Sequence, residues 1–468
     1  MKRIYLLLGA AGFALLAGLG WSAGQQSDLV IKYSGGAQPS VALPDFKGAG
    51  GAAQYMSLFN QVVFDDVQRS GVFKMAPKSY YPLNPPQQES DLRVAPAPAQ
   101  PTRRNAPAPV AKDCGGRCLS DWASSPVGAT YLGFGYASDQ NGQFVVFGHL
   151  YNTSIADLNG ARLFRKLYNG ELNENGARQV AHQYAADILA QLGQTSLAGS
   201  KVYFVSDRQG KGTKEIWSMD FDGGSQKRLT SFNSISTMPA VSPDGTRLAF
   251  TTFAKGQPRL MMYSTVTGHF IPFLNPQASV NSQPDFTPDG KNVLFASTAD
   301  GRYMNIYISD LNGGGLRRLS NVRAVEAEPK VNPKNGHDML VVSGRGGLQQ
   351  IYMMNLDGAD PVRLTNGEGE ASNPAWNPNG QHMAFAWTRG YAPGNWNLFI
   401  MDVSSRETVQ LTHGEGRNEN PSWAPDGRHL AFSSNRTGKS QIFTMLADGT
   451  EVRQLTTQGN NYMPVWVK

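Results

Sequence analysis

A short phrase, a proline followed by a few strand residues and then Pro-Asp-Gly, recurs through the second half of this chain and leaves few folds open to it. It reads Pro239-Ala-Val-Ser-Pro-Asp-Gly245, Pro284-Asp-Phe-Thr-Pro-Asp-Gly290, Pro329-Lys-Val-Asn-Pro-Lys-Asn-Gly336, Pro374-Ala-Trp-Asn-Pro-Asn-Gly380 and Pro421-Ser-Trp-Ala-Pro-Asp-Gly427. Pro464-Val465-Trp466 opens a sixth copy. The leading prolines are 45, 45, 45, 47 and 43 residues apart. Self-similarity at that period is the signature of a four-stranded propeller blade.

Between phrases the order of segments is constant. An apolar strand (Arg247–Phe250, Asn292–Phe295, His429–Phe432) precedes a second one (Asn305–Ile308, Gln350–Met353, Leu398–Met401, Gln441–Thr444). A turn follows, at Asp222-Gly223, Asn312-Gly313, Asp357-Gly358 or Asp448-Gly449. Such pairs predict type I′ hairpins with both central residues at positive φ. A last strand ends in Arg228-Leu-Thr230 or a variant such as Arg363-Leu-Thr365 or Gln454-Leu-Thr456. The unit Lys201–Thr230 lacks a leading strand, and the leading strand Tyr462–Val467 lacks a unit. Each supplies what the other misses, which predicts a six-bladed β-propeller over 200–468, closed by its C-terminal strand.

The first 24 residues have the layout of a secretory signal peptide: Met1-Lys2-Arg3, an uncharged apolar run from Ile4 to Leu19, and small residues at Ser22-Ala23-Gly24. An uncleaved membrane anchor is the alternative. The mature chain is then expected to be exported, in the periplasm. A net charge of +6, or +4 without Lys2 and Arg3, and no basic run give no indication of nucleic acid.

Residues 25–195 read as an α/β domain. Short strands are expected at Asp28–Tyr33 and Ser40–Pro44. A helix from about Gln54 to Ser70 carries Phe59, Val62, Val63 and Val67 on one face and stops at Gly71. A hairpin, Ala129–Gly135 and Gly142–Leu150, turns at Asp139-Gln-Asn-Gly142, and a second helix buries Ala177, Val180, Ala181, Tyr184, Ile188 and Leu192 before Gly193. Interrupting this domain at about 80–120 is a proline-rich insertion, expected to be extended, as a linker or a ligand for other domains. Cys114 and Cys118 are the only cysteines. In an exported chain they predict a local disulfide; zinc and redox readings are weaker, without further ligands or a C-x-x-C spacing.

Chemistry is mostly excluded. No G-x-S-x-G elbow stands outside the leader stretch Gly18–Gly24; H-E-x-x-H, a P-loop and a dinucleotide glycine pattern after a strand are missing, and no cofactor is expected. Binding is the better use of a propeller. Residues just before each leading proline are expected round the channel mouth: Met238, Asn281, Gln283, Glu326, Glu328, Asn373, Glu419, Asn420, Tyr462 and Met463. Amides, acids and adaptable methionines suit a protein or peptide partner. The plainer alternative is a solvated rim that satisfies turn backbone; a further one is a cation held by Glu326, Glu328 and Glu419.

With its leader, Val41-Ala-Leu-Pro-Asp-Phe46, Asp66-Val-Gln-Arg-Ser-Gly-Val-Phe73, the Asp121-Trp122 to Leu150 strands, Ala181-His182 to Leu192 and the blades, the layout resembles the TolB family. The resemblance implies a non-enzymatic adaptor of the Tol-Pal system in the periplasm. It would bind the lipoprotein Pal at the channel mouth and TolA through a segment around Gln25 to Tyr33, and support outer-membrane integrity and invagination at division. Association with the outer membrane would be peripheral, through Pal, and the chain a monomer. The insertion at about 80–120 departs from the family pattern. An exported propeller for another protein or polysaccharide, or an accessory domain of a hydrolase, are the alternatives.

Overall fold

The computed structural model describes residues 38–95, 114–210 and 212–468. The expected leader, the strand at Asp28–Tyr33, the Gln25–Tyr33 segment and the middle of the proline-rich insertion lie outside the described residues.

The N-terminal region is a mixed sheet in the order Lys74–Met75, Ser40–Ala42, Tyr131–Gln140, Gln143–Asn152, Arg162–Glu171, with Lys47–Ala49 also on Tyr131–Gln140. Two long helices, Met56–Arg69 and Glu174–Ala190, supply the facing side chains. Their stripes are the expected ones: Phe59, Val63 and Val67 from one helix meet Val180, Tyr184 and Ile188 from the other over Phe144 and Val146 of the sheet. The second helix starts at Asn173, whose side chain accepts from Gly176 N at 2.9 Å. Gly71 and Gly193 follow the helices at φ 67° and 66°, a left-handed conformation that residues with a Cβ rarely adopt. The hairpin after Gln140 turns through Asn141 and Gly142, both left-handed, as a type I′ loop requires.

The insertion is better anchored than its proline content predicts. Leu92, Leu119 and Trp122 are buried in a second small core with Leu132, Phe134 and Tyr151. Glu89 accepts from Tyr151 Oη and Arg165 Nη1, both at 2.9 Å. Cys114 and Cys118 are joined by a disulfide with Cα atoms 5.5 Å apart. Asp121 accepts from Gly116 N and the Trp122 indole donates to Gly116 O, so apolar anchors on either side of the prolines pin the insertion's described ends.

Residues 201–467 form six four-stranded sheets, numbered here as blades. Blade 1 is Asn461–Val467, Lys201–Ser206, Glu215–Asp220 and Lys227–Arg228; blades 2 to 6 begin with the inner strands Ser236–Val241, Asn281–Phe286, Glu326–Val331, Ala371–Trp376 and Asn418–Trp423. Closure is as expected: Asn461–Val467 pairs antiparallel with Lys201–Ser206. Strands buried on both faces explain the continuous apolar runs; Val293 to Ser297, the second strand of blade 3, is wholly buried.

The structure explains the repeat's Thr and corrects its turn. In Arg-Leu-Thr the hydroxyl accepts from the first free amide of the third strand: Thr230 from Ile216 N, Thr365 from Ile351 N and Thr456 from Ile442 N, each at 2.9 Å. Blade 2, which lacks the motif, uses Asn275 Oδ1 on Leu260 N instead. The Asp/Asn-Gly turns are not type I′. Only their glycines have positive φ, and each loop holds three residues: Gly223 N donates to Asp220 O, and Asp220 N to Gly224 O. This is a type I turn closed by a left-handed residue. Gly358 shows why that residue is glycine: at φ 82°, an added Cβ would lie 1.7 Å from Leu319 O of the neighbouring blade. Gly358→Ala is therefore expected to cost at least about 1–3 kcal/mol, read as a lower urea midpoint at unchanged m-value.

The N-terminal region meets the propeller at the edge that carries the Pro-Asp-Gly turns. His429 Nε2 lies 2.8 Å from Arg69 O, while its Nδ1 faces Asp426 Oδ2 at 2.6 Å. His182 Nδ1 is 2.6 Å from Asp66 Oδ2, and its Nε2 is 3.6 Å from Asp222 Oδ2 in blade 1. Arg178 pairs with the same Asp222. A cavity of about 250 Å³ lies between these groups.

Candidate functional site: the channel of the propeller

Inner strands of six blades leave a central bore of about 370 Å³. Its wall is built from a repeated local distortion. Each inner strand carries a bulge at its third residue, immediately before the leading proline. That residue is left-handed in every blade: Met238 (φ 55°), Gln283 (57°), Glu328 (53°), Asn373 (54°), Asn420 (52°) and Met463 (50°). A positive φ costs a residue with a Cβ about 1–3 kcal/mol, and only two of the six are Asn, the type that tolerates it best. All six side chains line the bore.

Strain at this ring is held by hydrogen bonds that run from blade to blade. Gln283 N donates to Thr251 Oγ1 (3.1 Å), Glu328 N to Gln283 Oε1 (3.2 Å), Asn373 N to Glu328 Oε2 (2.6 Å), Asn420 N to Asn373 Oδ1 (3.2 Å) and Met463 N to Ser433 Oγ (3.0 Å). In each bond the acceptor belongs to the preceding blade. Burial pushes the Glu328 carboxyl up from its ordinary range, against hydrogen bonds from the Asn373 amide and the Ser372 hydroxyl. One side of the ring is thus a polar chain, Gln283 to Asn420; the other is the thioether pair Met463 and Met238.

The remaining expected site residues fall elsewhere. Asn281 and Glu326 are first residues of inner strands and are 3% and 0% exposed, so they do not sit at the mouth. Asn281 accepts from Ser297 Oγ at 2.7 Å, and Glu326 pairs with Arg345; both brace the blade interior. The bulge breaks the alternation that would put the first and third residues on one face, so the third lines the bore while the first packs into the blade. Glu419 and Tyr462, second residues, are half-buried beside the ring. Glu419 pairs with Arg417, and the Lys214 ammonium lies 4.4 Å from the centre of the Tyr462 ring. The three acids do not converge: Glu326 is held by Arg345, Glu328 by Ser372 and Asn373, and Glu419 by Arg417. That removes the reading of a shared cation. Among the described residues the one cluster at metal-ligand spacing is Cys114, Cys118 and Asp121, whose thiols are already joined.

Deeper lining was missed in the sequence. Asp285 and Lys330, fifth residues of their strands, form an ion pair at 3.1 Å, and Trp376, Trp423 and Trp466 complete the far end with Pro333, Pro378 and Pro425 of the turn phrases. From the bulge onward the inner strands run along the bore, so in blades 1, 4, 5 and 6 their fourth to sixth residues line the wall as well, a consequence that the repeat alone does not show.

The TolB beta propeller domain family matches residues 191–370 and 363–468, more than half of the chain. The chain belongs to the TolB family. A protein TolB homolog of Chlorobium chlorochromatii is 36% identical over 147 residues, 31% of this chain and 32% of that protein. The match therefore spans about a third of that relative's length. The Tol-Pal system protein TolB of Dinoroseobacter shibae is 28% identical over 56% of this chain and 54% of its own. The crystal structure of TolB from Acinetobacter baumannii superposes with a TM-score of 0.71 at 21% identity, covering 92% of this chain and 97% of the other, and so shares the TolB fold. Asp66, Arg69, Gly71 and His182 sit where the N-terminal region meets the propeller. No helix among the described residues is long and apolar enough to cross a membrane.

Proposed function

We propose that this chain is a non-enzymatic adaptor of the Tol-Pal system in the periplasm. Its channel mouth takes a segment of Pal, its N-terminal segment around Gln25 to Tyr33 engages TolA, and it serves outer-membrane integrity and invagination at division. Within this reading the chain acts as a monomer, joined to the outer membrane only through Pal. The observation that carries the reading, beside membership of the TolB family, is the ring of six left-handed residues at one end of the bore. Strain of that kind persists where it serves a site. The N-terminal region covers the opposite edge, so this mouth is open to a macromolecule. Met238 and Met463 offer adaptable apolar contact beside fixed amides, a combination that accepts a peptide better than a small ligand.

The test is capture of purified Pal from the same organism by the exported form of the chain. Binding with a dissociation constant of order micromolar or tighter is expected. A Met238→Lys, Met463→Lys variant, which places two cations on the apolar side of the mouth, should weaken it at least tenfold. Absence of retention at micromolar concentration sinks the reading.

A further inference from the structure

We propose that the backbone N–H of Met238 is the single open donor of the channel ring, and that the bound partner places a neutral peptide carbonyl on it. The inference rests on the channel being the partner's site and adds where, and by what chemistry, the partner is gripped. At five of the six equivalent positions the amide of the left-handed residue is capped by an oxygen of the preceding blade, at 2.6 to 3.2 Å. Two positions supply those oxygens. One is the left-handed residue of the preceding blade, as with Gln283, Glu328 and Asn373. The other is a hydroxyl on the second strand, Thr251 or Ser433, opposite the second residue of the inner strand.

For Met238 the preceding blade is blade 1, and neither position there can accept. Its left-handed residue is Met463. Its second-strand residue, paired with Tyr462, is Val205. The bulge takes Met238 out of the regular ladder, and among the described residues no side-chain oxygen is hydrogen-bonded to Met238 N; the Met463 thioether at the acceptor position is a poor substitute. A backbone donor held at a fixed point of the bore wall needs no reorganisation to donate to a carbonyl, so a ligand that places one there gains a pre-organised hydrogen bond.

The partner's chemistry follows from the surroundings. Glu328 and Asp285 line the same bore, and Lys330 is already paired with Asp285. An incoming carboxylate would meet acids there and find no unpaired cation among the lining residues, since Lys214 stands outside them over the Tyr462 ring. A main-chain or Asn/Gln carbonyl meets no such penalty. Met238 and Met463 flank the donor, so the residue that presents the carbonyl, or its neighbour, carries an apolar side chain. We therefore assign the segment as an uncharged, extended stretch of peptide.

The experiment closes the gap in the ring. Val205→Thr puts a hydroxyl where blades 2 and 6 have Thr251 and Ser433, at almost unchanged volume, and caps Met238 N from within. Titration of this variant with purified Pal is expected to show about fivefold weaker binding, the loss of one hydrogen bond. Ala296→Ser, the same change in blade 3, where Gln283 already caps Glu328 N, should leave affinity unaltered. If Val205→Thr binds as the unsubstituted chain does, the donor proposal is overturned and the reading of the channel as Pal's site stands. If the unsubstituted chain does not bind Pal, that reading fails and this one with it. A measurement on the unsubstituted chain covers the case in which Val205→Thr does not fold. In protein labelled with ¹⁵N-methionine, the Met238 amide should exchange with solvent faster than the Met463 amide and become protected on Pal binding. Equal protection of both in the free protein overturns the proposal.

Discussion

Removal of the strand Asn461–Val467 is expected to abolish the cooperative unfolding of the propeller, not merely to lower its midpoint. That strand is the inner strand of blade 1, and without it Lys201–Ser206 becomes the open inner edge of its sheet and blade 6 loses its neighbour. Trp466 shows the scale of the effect. It is 6% exposed; its indole donates to Ser200 Oγ at 2.9 Å and its amide to Ser422 Oγ of blade 6 at 3.0 Å. Trp466→Ala alone should cost about 3–5 kcal/mol. Urea unfolding followed by circular dichroism reads both: a reduced midpoint for the substitution, a broad transition with a low m-value for the truncation. A cooperative transition in the truncated chain would mean that five blades close without the sixth.

The second large effect is a dependence of stability on pH, set where the N-terminal region meets the propeller. Burial depresses the His182 imidazole, but the Asp66 carboxylate hydrogen-bonded to Nδ1 and the nearby Asp222 outweigh it, and the net displacement is upward from 6.5. Arg178 and the Phe221 ring are the other groups against it; Arg178 opposes the rise. A group whose folded pKa is raised contributes fully below its unfolded value and loses the contribution as pH rises through the folded one. Stability should therefore be greatest near pH 6 and fall on the way to 8.5. Asp66→Asn removes the partner of a buried charge and should cost about 3 kcal/mol at pH 6. It should also flatten the decline between pH 6.5 and 8.5. Urea midpoints across that range decide it; an unchanged slope in the variant would place the pH sensitivity at another group.

Most of the fold was legible because a blade repeats its own punctuation. A Pro recurs six times and a turn Gly and a capping hydroxyl five times each, at fixed offsets that answer local backbone demands, and the two incomplete units at the ends match each other. The hairpin turns were misread because Asp-Gly satisfies either a two-residue type I′ loop or a three-residue loop with one left-handed residue. Loop length decides between them, and strand ends are not sharp in a sequence. Met238, Gln283 and Glu328 carry no mark of a positive φ, since their side chains disfavour it; the tertiary ring imposes it. Asn281 and Glu326, a step of two from the bore-facing residues, would share their face in a regular strand; the bulge that separates them has no mark in the sequence. In the insertion, the prolines drew attention away from Leu92 and Trp122, whose burial fixes its ends.

The closing strand also bears on how the molecule comes into being. Trp466 and Ser200 touch although they stand 266 positions apart in the chain. Blades 2 to 6 are local in sequence and can form as their strands emerge, whereas blade 1 must wait with an unpaired edge for the last of its strands. Loop closure over such a span is entropically slow, and an exposed apolar strand such as Val202–Val205 invites wrong partners meanwhile. The interval between synthesis of Ser206 and arrival of Asn461 is then the period in which this chain most needs protection from aggregation, and a holdase acting on it would be expected to release last at blade 1.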